Sequence, residues 1–123
     1  MSDGLLLMAA LLLIVTSVLH SAMGERRLLG PVLTRREGIL KSPLARFVLR
    51  FAWHVTSVAW AVIALILAAL VLDPTAVRWW AAVGIGVAFT AIGAFTAISS
   101  RGRHIGWPLL TGIGLTALAS LLA

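Results

Sequence analysis

Four long apolar runs, nearly free of charge, decide most of what this chain can fold into. They are residues 5–22, 47–72, 77–98 and 105–123. Each is close to the roughly 20 residues that a helix needs to cross a bilayer. The second and third are long enough to span with some tilt. Among backbones, only helices and closed barrels satisfy their own polar groups in lipid, and runs of this length and unbroken apolarity are helical. The expected fold is all-α, a single integral-membrane four-helix bundle over residues 1–123. The positively charged segment 23–46 forms a loop on the cytoplasmic side.

Composition supports this and excludes other classes. Of the 123 residues, 61% are hydrophobic and 11% charged, and mean hydropathy is +1.07. Soluble domains carry roughly twice that charged fraction. The net charge of +6 would suggest nucleic acid in a soluble chain. Here the bases act as topology signals, and no nucleic-acid partner is expected. The absence of cysteine removes disulfides, thiolate nucleophiles and Cys–zinc or iron–sulfur ligation. The first run has no basic residue before it, and Arg26-Arg27 follow it as a stop-transfer signal, so it is read as a mature helix.

Basic residues assign the sides. The segment from Met23 to Arg50 holds Arg26, Arg27, Arg35, Arg36, Lys41, Arg46 and Arg50, and Arg101 and Arg103 fall between the last two runs. The connection between runs two and three holds only Asp73 and Arg78, and the N-terminus only Asp3. The positive-inside rule then puts both termini on the extracytoplasmic side of a bacterial inner membrane, with the basic connections in the cytoplasm.

Punctuation predicts the helix starts. Ser42-Pro43 and Asp73-Pro74 read as N-cap and first-turn proline of helices two and three. Pro108 sits in the first turn of helix four, where its missing N–H is tolerated. Gly30-Pro31 is expected to break any helix in the basic loop, which mixes leucines with arginines and is expected to lie along the membrane surface.

Three histidines fall at the same end. His20 lies near the end of run one, His54 near the start of run two and His104 at the start of run four. Ionisable residues at membrane depth are costly facing lipid, so His20 and His54 are expected to point inward. Thr16, Ser17, His20 and Gly24 share one face of helix one, and Arg46, Arg50, His54 and Ser57 one face of helix two. Glu25 stands at the boundary, and Arg50 is positioned to pair with it or to bind an anion.

Two or three imidazoles with a carboxylate are donor types that suit a transition metal, and facing imidazoles suit haem iron. The candidate ligands are His20, His54, His104 and Glu25. No close-spaced ligand motif accompanies them, and histidines that only tie helices together fit the same pattern. A second constellation is basic: Arg26, Arg27, Arg46, Arg50, Arg101 and Arg103 could hold a lipid phosphate. Trp79, Trp80 and Trp107 read as interfacial anchors, and Trp53 and Trp60 as deeper packing residues. Small-residue stripes, Gly86/Thr90/Gly93/Ala97 on helix three and Gly112/Thr116/Ser120 on helix four, predict a close hairpin or a dimer seam.

Three functional classes therefore stand open. One is a membrane protein with a cytoplasm-facing polar pocket for a transition metal or haem. The second is a non-catalytic scaffold or accessory subunit that binds anionic lipid or a partner membrane protein. The third is a small transporter acting as a homo-oligomer, which the absence of a deep acidic residue disfavours.

Overall fold

The computed structural model describes residues 2–122, so the last residue of the expected fourth span, Ala123, lies outside the described residues. It is all-helical. The helices are α1 (Ser2–Thr34), α2 (Pro43–Leu72), α3 (Val77–Ser99) and α4 (Trp107–Ala119). Three are long and apolar enough to cross a membrane, which makes this a multi-pass membrane protein. The fourth has 13 residues and is only about 20 Å long at 1.5 Å per residue. That falls short of a hydrocarbon core of about 30 Å, so the expected span 105–123 is corrected to a shorter apolar helix.

The helices form a row rather than a closed ring. α1 packs on α2, α2 on α3 and α3 on α4, with the outer pairs the tighter ones. Large apolar side chains such as Leu12, Val18, Val87 and Leu109 therefore remain exposed, as lipid-facing positions should. The seams are lined by small residues instead: Ala10, Ser17, Ser57 and Ala64 between α1 and α2, Gly86, Gly93 and Gly114 between α3 and α4. Without a hydrophobic force between helices in lipid, close backbone approach supplies the attraction.

The α3/α4 seam uses a different face of α4 from the one expected. A side chain on Gly114 would run into Thr90, and one on Gly93 into Thr111. Gly112 faces open space, and Thr116 and Ser120 are exposed. The seam thus runs along Thr111, Gly114 and Leu118.

Two further expectations are corrected. The basic segment is not broken at Gly30-Pro31. α1 continues through it, π-helical over Gly24–Leu29 and α-helical again over Gly30–Thr34, with Leu29 and Leu33 buried. A proline ring clashes with the carbonyl four residues back in a regular α-helix. The widened turn before Pro31, where the Gly30 N–H bonds the Glu25 carbonyl, moves that clash aside. The chain then leaves the helix at Arg36, which has φ of 50°. At the other connection Asp73 does not cap α3 through its side chain. Its carboxylate accepts from the Trp80 indole Nε1–H at 3.1 Å and the Thr75 hydroxyl at 3.1 Å. Ser42 does cap α2, accepting from the Ala45 N–H at 3.4 Å.

Candidate functional site at the α1/α2 seam

α2 has 30 residues, but its charge-free stretch begins only after Arg50. Arg50 therefore marks the polar boundary. His54 lies one turn deeper, about 6 Å, and Ser57 nearly another. These three sit at i, i+4 and i+7 and share a face. Across the seam, α1 presents Ser17, Ser21 and Glu25 at i, i+4 and i+8.

The two rows interlock as one hydrogen-bonded string. The Arg50 guanidinium holds Glu25 with Nη2 to Oε1 at 2.8 Å and Nε to Oε2 at 3.2 Å. Oε2 also meets His54 Nε2 at 3.2 Å. His54 Nδ1 lies 2.9 Å from Ser21 Oγ, and Ser21 Oγ lies 2.8 Å from Ser57 Oγ. Ser17 closes the string by donating to the Ser57 carbonyl at 2.6 Å. Ser17 and Ser57 are buried, while the ionic end at Arg50 and Glu25 is half-exposed. Charge sits where water reaches it, and the buried end is neutral.

The string separates the histidines that the sequence placed together. His54 belongs to it. His20 lies on the other flank of the same seam, where its ring stacks on Trp53 at 4.3 Å and meets the edge of Trp60 at 4.9 Å. Trp53 reaches over Gly24 to donate from Nε1 to the His20 carbonyl at 3.0 Å. His104 sits against Phe51, 6.1 Å between ring centroids. Among the described residues no three His or acidic side chains gather as a metal-ligand set. The donors present do not fit a transition metal or haem held by His20, His54, His104 and Glu25 together, because tryptophan and phenylalanine rings occupy the space around two of the three imidazoles.

Ser21 is the residue the sequence reading missed. Its signal was the spacing Ser17–Ser21–Glu25, which the alternative face through Thr16, His20 and Gly24 obscured.

Two depressions follow the seam, one on each side of the Arg50–Glu25–His54 contact. The outer one, about 480 Å³, is lined by Leu33, Arg36, Arg46, Phe47 and Arg50. Arg46 is steadied there by donating to the Leu40 carbonyl at 2.6 Å and the Lys41 carbonyl at 3.1 Å. The inner one, about 630 Å³, is a shallow, largely apolar groove along Val18, Ser21, His54, Val58 and Ala61. Phe47, Arg50, His54 and Ala61 follow one another at three- to seven-residue spacing, so both depressions lie on one face of α2. Of the other basic candidates, Arg101 and Arg103 line a separate recess beyond Phe47. Arg26 and Arg27 are exposed and line neither depression.

No protein-family model, curated protein or solved structure matches this chain.

Proposed function

We propose that this multi-pass membrane protein binds the phosphate headgroup of an anionic phospholipid in the Arg36/Arg46/Arg50 cleft. The reading continues the expectation of cytoplasmic basic connections in a bacterial inner membrane, with the cleft at the cytoplasmic leaflet. One observation carries it: three guanidinium-bearing side chains line a single cleft that also presents Leu33, Pro43 and Phe47, at the depth where the apolar stretch of α2 begins. Guanidinium forks pair with phosphate oxygens bidentately, and Leu33 and Phe47 give the glycerol and upper acyl carbons an apolar surface. Basic pockets between membrane helices hold lipid headgroups on these terms. Arg26, Arg27, Arg101 and Arg103 add to the field that draws anionic lipid to this side without forming the cleft.

The test is lipid retention. Protein purified from mixed phosphatidylglycerol and phosphatidylcholine micelles and analysed by native mass spectrometry should keep phosphatidylglycerol preferentially. Arg36→Gln with Arg46→Gln should remove that preference, whereas Arg26→Gln with Arg27→Gln should leave most of it. Inorganic phosphate at millimolar concentration should compete poorly, since it lacks the apolar contacts. Equal retention of both lipids by the wild type would end this reading.

A further inference from the structure

The Ser21–His54–Glu25 string has a second property beyond tying α1 to α2. A hydroxyl is within hydrogen-bond reach of an imidazole, whose other nitrogen meets a carboxylate that is itself fixed by Arg50. Nucleophile, base and orienting group in that sequence are what activates a serine for acyl transfer. Ser21 is not enclosed: together with His54 it lines the apolar groove.

We propose that Ser21 is the nucleophile of an acyl-ester hydrolase site, with His54 as base, Glu25 as its orienting carboxylate and the ester of a membrane phospholipid as substrate. The substrate assignment rests on the headgroup reading above. A phosphate held at Arg50 places the lipid's ester carbonyls about one helical turn deeper, which is the level of His54 and Ser21. The acyl chain then continues along Val18, Val58 and Ala61. Cleft and groove thus match the polar and apolar halves of a single lipid on one face of α2.

The chemistry balances with water as co-reactant. Ser21 Oγ attacks the ester carbonyl carbon while His54 Nδ1 takes the hydroxyl proton. The bond from that carbon to the alcohol oxygen breaks, His54 returns the proton to that oxygen, and the acyl group stays on Ser21. Water then attacks the acyl-serine, giving a proton through His54 to Ser21 Oγ and releasing the fatty acid. Ser57, 2.8 Å from Ser21 Oγ, is the neighbouring hydroxyl that can donate to the developing oxyanion. Backbone N–H groups here are committed to the helices, so a two-donor oxyanion hole is absent from the described residues. A missing donor costs about 10²–10³ in rate. Turnover is therefore expected to be slow, and covalent capture is the sensitive readout.

The experiment treats the full chain, in nanodiscs containing phosphatidylglycerol, with a fluorophosphonate probe, and follows fatty-acid release in parallel. Intact mass and peptide mapping should place one adduct on Ser21. Ser21→Ala should abolish it, His54→Gln should slow it at least 100-fold, and Glu25→Gln should slow it about tenfold. Thr116→Ala, which removes an exposed hydroxyl on α4 away from the string, should label at the wild-type rate, and so should Arg36→Gln with Arg46→Gln, because the probe lacks a headgroup. Those double-arginine variants should instead lose fatty-acid release. Normal lipid retention with no Ser21 adduct, or an adduct rate indifferent to His54→Gln, overturns the serine site and leaves the cleft standing. A His54-dependent adduct and fatty-acid release without arginine-dependent retention overturns the cleft and keeps the serine site.

Discussion

Trp53 and Gly24 are fitted to each other across the α1/α2 seam: the indole occupies the space that a Cβ on residue 24 would take. In that position its Nε1–H reaches the His20 carbonyl at 3.0 Å and its ring lies within 4° of parallel to the His20 imidazole. A glycine, a tryptophan and a histidine thus form one contact, on the other flank of the α1/α2 seam from the His54–Glu25 pair.

Gly24→Ala should therefore destabilise the protein by roughly 1–3 kcal/mol, the usual cost of forcing a methyl into filled space. Trp53 would have to move, losing both the hydrogen bond and the stack. Gly112→Ala makes the matched control, because a Cβ there meets nothing. It should be neutral or gain up to about 1 kcal/mol from helix propensity. Thermal unfolding in one detergent, followed by tryptophan emission, compares the two. Equal melting points would mean that Trp53 does not rest on Gly24.

The proton on neutral His54 has a preferred place. Glu25 as a carboxylate only accepts, so Nε2 at 3.2 Å is best satisfied as the donor. Nδ1 is then the acceptor that faces the Ser21 hydroxyl, whose oxygen lies 2.8 Å from Ser57 Oγ. Nitrogen-15 NMR of labelled histidine should show the Nε2–H tautomer at His54, and Glu25→Ala should redistribute it toward Nδ1–H. A dominant Nδ1–H form in the wild type would contradict the geometry of the string.

At the far end of the molecule Asp73 joins the α2/α3 turn to the first turn of α3 through Trp80. Hydrogen bonds to a charged acceptor contribute about 1.5–3 kcal/mol when both partners are held. Asp73 is only partly buried, which lowers that figure. Asp73→Ala should cost about 1 kcal/mol and shift Trp80 emission, and Asp73→Asn should keep about half of the effect because its amide oxygen still accepts. A silent Asp73→Ala would show that the 73–80 contact adds nothing to the turn.

The apolar runs made the membrane helices legible, because length and lack of charge alone decide that class. What the sequence left hidden depends on neighbours. Gly30-Pro31 reads as a helix end, yet a π-helical turn absorbs the proline, and only the packing of Leu29 and Leu33 repays that distortion. His20 and His54 look alike in the sequence. Trp53 claims one and Glu25 the other, and nothing local to either histidine records which. The pairing of Arg50 with Glu25 was readable because both are charges at one boundary. Ser21 was not, since a hydroxyl in an apolar helix is ordinary until a histidine from another helix reaches it. On α4, Gly112 and Gly114 offer equally good stripes, and the choice lies with Thr90 and Gly86 on α3.

The row-like order of the helices makes the last prediction. The chain has no cysteine, so an introduced pair supplies the only thiols. Ser21→Cys with Ser57→Cys replaces two hydroxyl oxygens 2.8 Å apart and should oxidise readily to an intramolecular disulfide joining α1 to α2. Gly86→Cys with Leu118→Cys should join α3 to α4, since a Cβ on residue 86 points at the Leu118 side chain that the second substitution replaces. Ala10→Cys with Leu118→Cys links α1 to α4, helices separated by the other two, and should stay reduced within one chain. Protease cleavage in the α2/α3 turn followed by non-reducing electrophoresis separates the cases: an α1–α4 link holds the halves together, whereas α1–α2 and α3–α4 links release them. Efficient intramolecular α1–α4 linkage would mean that the row closes on itself. The α1/α2 seam would then lose the lipid access that both the cleft and the Ser21 groove require.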